Sequence, residues 1–210
     1  MIAVSEKLSW YVSRSSGIVA WFLVAASIVW GLALSGRLVR RRGIPAWLLD
    51  LHRYLGTLSI VFTAIHLIGL VGDNYVHFGW GELFVPMASE WQPGNVAWGI
   101  AGFYLLVAIQ VTSWAMRRLP RRVWHTIHLS SLVLFVTGTV HSFRAGTDME
   151  NRPLRWAGLA TCVLIALLLG FRLGNRRPGR RGAGRAGTAA ANAAPVTSPG
   201  VHQEATAAAG

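Results

Sequence analysis

Charge is what this sequence has least of. Only 13% of its 210 residues are Asp, Glu, Lys or Arg, against about a quarter in a soluble domain. The shortage is concentrated, since residues 15–36, 54–72, 91–116, 123–143 and 156–171 contain none of the four. A soluble helical protein has no need of five such stretches. A bilayer does, because roughly 20 apolar residues carry a helix across its hydrocarbon core. The first four stretches are long enough outright, and the fifth reaches full length if Arg155 and Arg172 snorkel at its ends. Cysteine occurs once, at Cys162 in the fifth stretch, which excludes an intrachain disulfide and leaves the redox compartment unmarked. Lysine also occurs once, at Lys7, beside nineteen arginines, a bias that points to a bacterial genome of high GC content.

The few charges are informative about orientation. Arg37 and Arg40 to Arg42 follow the first apolar stretch, Arg117, Arg118, Arg121 and Arg122 follow the third, and Arg172, Arg176, Arg177, Arg180, Arg181 and Arg185 open the tail. The connection at 73–95 carries Asp73, Glu82 and Glu90 and no base. Assigning the basic segments to the cytoplasm collects fifteen basic residues inside, Arg53 included, against five outside, namely Lys7, Arg14, Arg144, Arg152 and Arg155. The formal charge of +12 is therefore read as a topology signal, not as a nucleic-acid surface. Ala33-Leu34-Ser35 faintly resembles a signal-peptide cleavage site, but arginines follow the long apolar run at once, which is an anchor pattern.

The expected fold is all-α, a polytopic bundle in the cell membrane with the N-terminus outside and the C-terminus cytoplasmic. Its five transmembrane helices fall at about 15–36, 51–72, 94–116, 122–143 and 154–173, inside one domain at 15–172. Residues 1–14 form an external N-terminal segment. Residues 174–210, rich in Ala, Gly and Arg and devoid of aromatics, form a disordered basic tail. Within that tail, Gly182-Ala183-Gly184-Arg185-Ala186-Gly187 matches a dinucleotide fingerprint, but no strand precedes it and no apolar helix follows, so it reads as a chance match. The aromatic-rich stretch 75–91, with Tyr75, Phe78, Trp80, Phe84 and Trp91, suits a short interfacial segment on the outer surface or a cap over an outer site.

Seven histidines remain. His52 and His66 lie 14 residues apart in the second helix, and His128 and His141 lie 13 apart in the fourth, so each pair is separated by about 20 Å along its axis. Both helices run from inside to outside, which gives two imidazoles at each of two matched depths. A haem iron takes two axial ligands, so the arrangement supplies two bis-histidine sites, His52 with His128 and His66 with His141. A proton relay would want Asp or Glu at those depths and the helices have none; a metal cage would want its ligands clustered. One geometrical difficulty stands. At about 100° per residue, a spacing of 13 leaves His141 about 140° away from His128, so the fourth helix must overwind, bulge or kink, with Gly138 a candidate place. His125 is equally out of phase and remains an alternative inner ligand. His77 and His202 have no role.

These residues resemble the ferric reductase-like transmembrane domain, shared by ferric reductases, NADPH oxidases and the bacterial haem subunits that serve methionine sulfoxide reductases. The motifs that carry the resemblance are Leu51-His52-Arg53-Tyr54-Leu55-Gly56 with His66, and Trp124-His125-Thr126-Ile127-His128 with His141 and Ala145-Gly146-Thr147-Asp148. It spans about residues 10–172 and implies two stacked b-type haems carrying electrons across the membrane. The larger oxidases of this kind have six helices and a fused flavin and nicotinamide domain; five helices and no flavin or nicotinamide site are expected here.

With both axial positions filled, such haems exchange electrons in the outer sphere and bind no substrate at the iron. Arg53 beside His52, and Arg144 three residues after His141, are candidate partners for haem propionates, Arg53 equally a topology anchor. The expected role is a membrane subunit of an oxidoreductase, not a complete enzyme. A separate cytoplasmic flavoprotein or a quinol would donate electrons. A ferric chelate, oxygen, quinone or periplasmic protein would accept them, and anionic lipid would contact the basic face. The competing class is a non-redox membrane scaffold or transporter-like protein with structural histidines.

Overall fold

The computed structural model describes residues 2–35, 46–73, 78–146 and 150–174. They form seven helices: α1 (Ile2–Ser35), α2 (Ala46–Val71), the short α3 (Trp80–Phe84), α4 (Pro93–Trp114), α5 (Arg121–Leu129), α6 (Ser131–Ala145) and α7 (Arg152–Gly174), with no strand among the described residues. Five segments are long and apolar enough to span a bilayer: Leu8–Ser35, Ala46–Val71, Pro93–Trp114, Arg121–Ala145 and Arg152–Gly174. The tail from 175 onward, with its glycine fingerprint, lies outside the described residues, as do His77 and His202.

Helix ends differ from the charge-free stretches for a physical reason. The absence of charge marks the part of a helix in hydrocarbon, whereas the backbone hydrogen bonds continue into the headgroup region. The first helix therefore starts at Ile2 and runs through the stretch expected as a separate segment at 1–14, and the second starts at Ala46. Asp50 and Arg53 sit in the first turns of α2, exposed and paired at 3.4 Å.

The α1–α2 pair is antiparallel and very close. Ser13, Ser16, Ala20 and Ala25 of α1 and Ser59 and Gly69 of α2 are buried. A Cβ added at Gly69 would stand 2.9 Å from the Cα and N of Ser13. Small residues at such a crossing let two backbones approach within van der Waals range, which drives helix association where lipid removes the hydrophobic drive. The antiparallel pair α4–α6 uses Gly102 likewise, with Thr137 Oγ1 at 3.2 Å from the position its Cβ would take. Ala25, Ile28 and Leu32 of α1 pack with Phe135 of α6 and Ile165 of α7 in one apolar cluster.

The fourth span is broken, though not at Gly138, which lies inside the intact α6. The break is Ser130, where α5 ends and α6 begins. Its N–H reaches the carbonyl of Ile127 at 3.1 Å and its hydroxyl donates to the same oxygen at 2.6 Å. An i→i−3 bond tightens the turn, and a serine bonding back to the preceding turn bends a helix. The connection between α2 and α4 also does more than lie on a surface: Phe78 and Leu83 are buried with Val96 and Ile100 of α4, against Leu67, Leu70 and Val71 of α2. Tyr104 of α4 donates to the carbonyl of Phe84 at 2.8 Å and ties the segment down.

A methyl group at position 69 would press on the backbone and Cβ of Ser13, none of which can rotate away. Gly69→Ala should therefore destabilise the bundle by about 1–3 kcal/mol, read as a lower thermal midpoint in detergent; an unchanged midpoint would mean that α1 and α2 separate freely.

Candidate functional site

The broken span turns both of its spaced histidines toward α2. The rings of His66 and His141 have centroids 6.5 Å apart and planes at 75°. Those of His52 and His128 are 5.9 Å apart at 74°. An imidazole nitrogen sits about 2 Å from a bound transition metal and its ring centroid about 1 Å further back, so two rings on opposite sides of one metal ion stand roughly 6 Å apart. Both pairs have that separation. No group of three or more His, Cys, Asp or Glu suited to a metal ion occurs among the described residues. Each pair could thus present two imidazole nitrogens to one metal ion, a donor set that would suit a metal already held by a macrocycle.

Three of the four imidazoles have their other nitrogen fixed. Nδ1–H of His66 donates to the carbonyl of Ser13 at 2.7 Å, that of His52 to Ser27 at 3.1 Å, and that of His141 to Asn95 at 2.9 Å. Donation through Nδ1 leaves Nε2 unprotonated, with a lone pair that could bind a metal. The fourth, His128, has a buried Nδ1 with no hydrogen-bond partner among the described residues; Trp124 stacks on its ring at 5.1 Å and 22°. His125 is exposed and meets only the edge of Trp124, at 6.3 Å, so the ring opposite His52 is His128.

Glycines shape the same places. A Cβ at Gly17 would lie 2.9 Å from the His66 ring, one at Gly31 3.2 Å from His52, and one at Gly99 2.8 Å from His141. The sequence held a signal for the first two. Ser13 and Gly17 recur as Ser27 and Gly31, 14 residues on, the same spacing as His66 to His52 on the antiparallel neighbour. Attention to ionisable residues alone passes over it.

A cavity of about 580 Å³ opens at the His66–His141 pair, within the range of small-molecule and cofactor sites. Gly99 and Gly138 line it from inside the bundle, and Phe78, Leu83 and Trp91 line it from the α2–α4 connection, so this connection does cap the site. Among the described residues, the charged ones that line it are Arg14 and Asp73. Arg14 is half-buried, its guanidinium 4.0 Å from the Trp10 ring centroid. Arg144 is exposed and does not line the cavity, and its carbonyl accepts from Asn95 at 3.5 Å. Arg53 is likewise exposed, with Asp50 as its partner. The cation nearest the cavity was thus hidden in a stretch read as external.

Residues 16–139 match the family described as ferric reductase like transmembrane component, more than half of the chain. The protein belongs to that family. It is a helical, multi-pass protein of the plasma membrane. Among curated proteins it is similar to the protein-methionine-sulfoxide reductase heme-binding subunit MsrQ of Brucella anthropi, 30% identical over 82 residues. That match covers 38% of this chain and 37% of the relative's length. No solved structure matches. The ferric reductase-like match takes in His52, His66 and His128 and stops just before His141.

Proposed function

We propose that this chain carries electrons across the membrane through two b-type haems, one held by His52 and His128 and the other by His66 and His141. The observation that carries the reading is the pair of facing imidazoles, 5.9 and 6.5 Å apart, at two depths of one helix pair. Family membership and the name of the Brucella relative support haem as the ligand. Bound haem would supply reversible one-electron chemistry, and held by two imidazoles it would do so in the outer sphere.

The residues of this chain hold and orient the ligands. The carbonyls of Ser13, Ser27 and Asn95 fix three imidazole tautomers, and glycines give the rings room. The apolar walls around His66 and His141 exclude water, which lets a planar apolar group settle there. Arg14, from its position on the cavity wall, is the preferred cation for a propionate at that site, ahead of Arg144. Arg53, already paired with Asp50, is a weaker candidate at the other.

The fifteen-to-five distribution of basic residues supports a cytoplasmic side at His52 and His128. Electrons then enter there, from a separate flavoprotein or a quinol, and leave toward an external acceptor from the side of His66 and His141. The basic cytoplasmic surface favours an acidic protein donor and predicts faster encounter at low salt. The chain on this reading is the membrane subunit of a larger oxidoreductase.

A purified sample in detergent should be red, with the reduced α-band of b-type haem and two haems per chain by pyridine haemochrome. His66→Ala or His141→Ala should remove about half of that haem, and His52→Ala or His128→Ala the other half. His125→Ala should leave both; loss of a haem in that variant, with His128→Ala intact, would reassign the ligand. A colourless protein would sink the proposal.

Orientation has its own test. Glu90 is exposed in the α2–α4 connection, so a cysteine there, in a Cys162→Ser background, should react with a membrane-impermeant maleimide on intact cells. Labelling only after permeabilisation would invert the topology and the direction of electron flow.

A further inference from the structure

In an α-helix each interior carbonyl accepts from the amide four residues on and keeps a second lone pair. The side chain at i+4 normally covers it, because every Cβ leans toward the helix N-terminus. Glycine at i+4 uncovers it. All three satisfied histidines use this arrangement: the acceptors are Ser13, Ser27 and Asn95, and four residues after each comes Gly17, Gly31 or Gly99. The clearances of 2.9 and 2.8 Å at Gly17 and Gly99 leave no room for a methyl group beside a ring in its hydrogen-bonded place, and the 3.2 Å at Gly31 would make the His52 ring give by a few tenths of an ångström.

The fourth position breaks the rule. On α1 the unit repeats after 14 residues. Fourteen residues beyond Asn95 and Gly99 on α4 stand Ile109 and Ser113. Ser113 brings back the Cβ, and its hydroxyl takes the Ile109 carbonyl at 2.6 Å, with Thr112 Oγ1 at 3.2 Å from the same oxygen. The Ser13 carbonyl also takes a hydroxyl, from Ser16 at 3.1 Å, but it has Gly17 above it and stays open to His66. Ile109 has the Ser113 Cβ there instead, and His128 Nδ1 is buried without a hydrogen-bond partner among the described residues.

We propose that this inequality sets the two haem potentials apart. The His66–His141 site, with both imidazoles donating, has the lower reduction potential, and the His52–His128 site, with one, the higher. An imidazole that donates its N–H is the more basic ligand, and stronger electron donation to iron favours its oxidised form. Gly17, Gly31 and Gly99 are then positioning residues, acting through the ligands they allow to bond. The inference rests on the two-haem reading. It adds that an electron is held preferentially on the His52 side until an acceptor draws it across.

Equilibrium redox titration of the solubilised full chain, followed in the visible and by EPR, tests this without any turnover assay. His66→Ala keeps only the His52–His128 site and His128→Ala keeps only the other, and the midpoint of the first should lie above that of the second. Arginines on the His52 side would produce the same order by charge alone, so the glycines decide. Gly99→Ala or Gly17→Ala, each in the His128→Ala background, should raise the remaining midpoint and move its EPR g values, because the methyl group forces the ring off its carbonyl. An unmoved midpoint in both glycine variants would overturn the proposal, as would a midpoint in His66→Ala at or below that in His128→Ala. Fewer than two haems per wild-type chain would overturn the two-haem function itself, and this inference with it.

Discussion

A neutral imidazole inside a bilayer has one N–H to satisfy, and every carbonyl within reach already belongs to a helix. Much of this structure follows from that constraint. The acceptor has to be a carbonyl that serves its own helix and the histidine at once, which requires a glycine above it and a neighbouring helix close enough to reach it. Closeness in turn requires small residues along the seam, hence Gly69 against the Ser13 backbone and Gly102 against Thr137. The helices that supply the acceptor carbonyls, α1 and α4, are thereby tied to the histidines of α2 and α6. A wider α1–α2 crossing would leave two imidazole N–H groups facing hydrocarbon, at a cost of several kcal/mol.

The two ends of the bundle meet the constraint differently. Around His66 and His141 the α2–α4 connection folds inward, and among the described residues one wall residue of each sign, Arg14 and Asp73, faces a mostly apolar cavity. Around His128 the neighbour is an aromatic face, Trp124, in place of a carbonyl. A flat ring stacked on an imidazole fixes its plane without accepting its proton. Orientation is thus secured at both ends, but hydrogen bonding differs between them.

Much of this was legible in the chain. Five charge-free stretches gave five spans, and the spacings of His52 to His66 and His128 to His141 gave two matched depths, because period and hydrophobicity are properties of single helices. What stayed hidden depends on pairs of helices. Ser13, Gly17, Ser27 and Gly31 carry no charge and no unusual chemistry, and their meaning appears only when α1 lies antiparallel to α2. The phase conflict in the fourth span showed that a distortion had to exist. Its place, Ser130 and not Gly138, turned on a hydroxyl bonding back to Ile127, while the flexibility of glycine drew attention elsewhere. Arg14 was overlooked because a charge near a terminus is naturally assigned to water, whereas the helix that carries it starts at Ile2 and brings it to the cavity wall.

The shared interval of 14 residues on α1 and α2 makes the two helices a matched pair of rulers. Adding or removing one residue between Ser13 and Gly31, or between His52 and His66, turns everything beyond it by about 100° and shifts it by about 1.5 Å. One histidine would then keep its acceptor while the other faced lipid. Point changes can drift within these intervals, but length cannot. A change of length would therefore be borne only outside these intervals, and the distance between the two histidine pairs is fixed by residue count where side chains can vary.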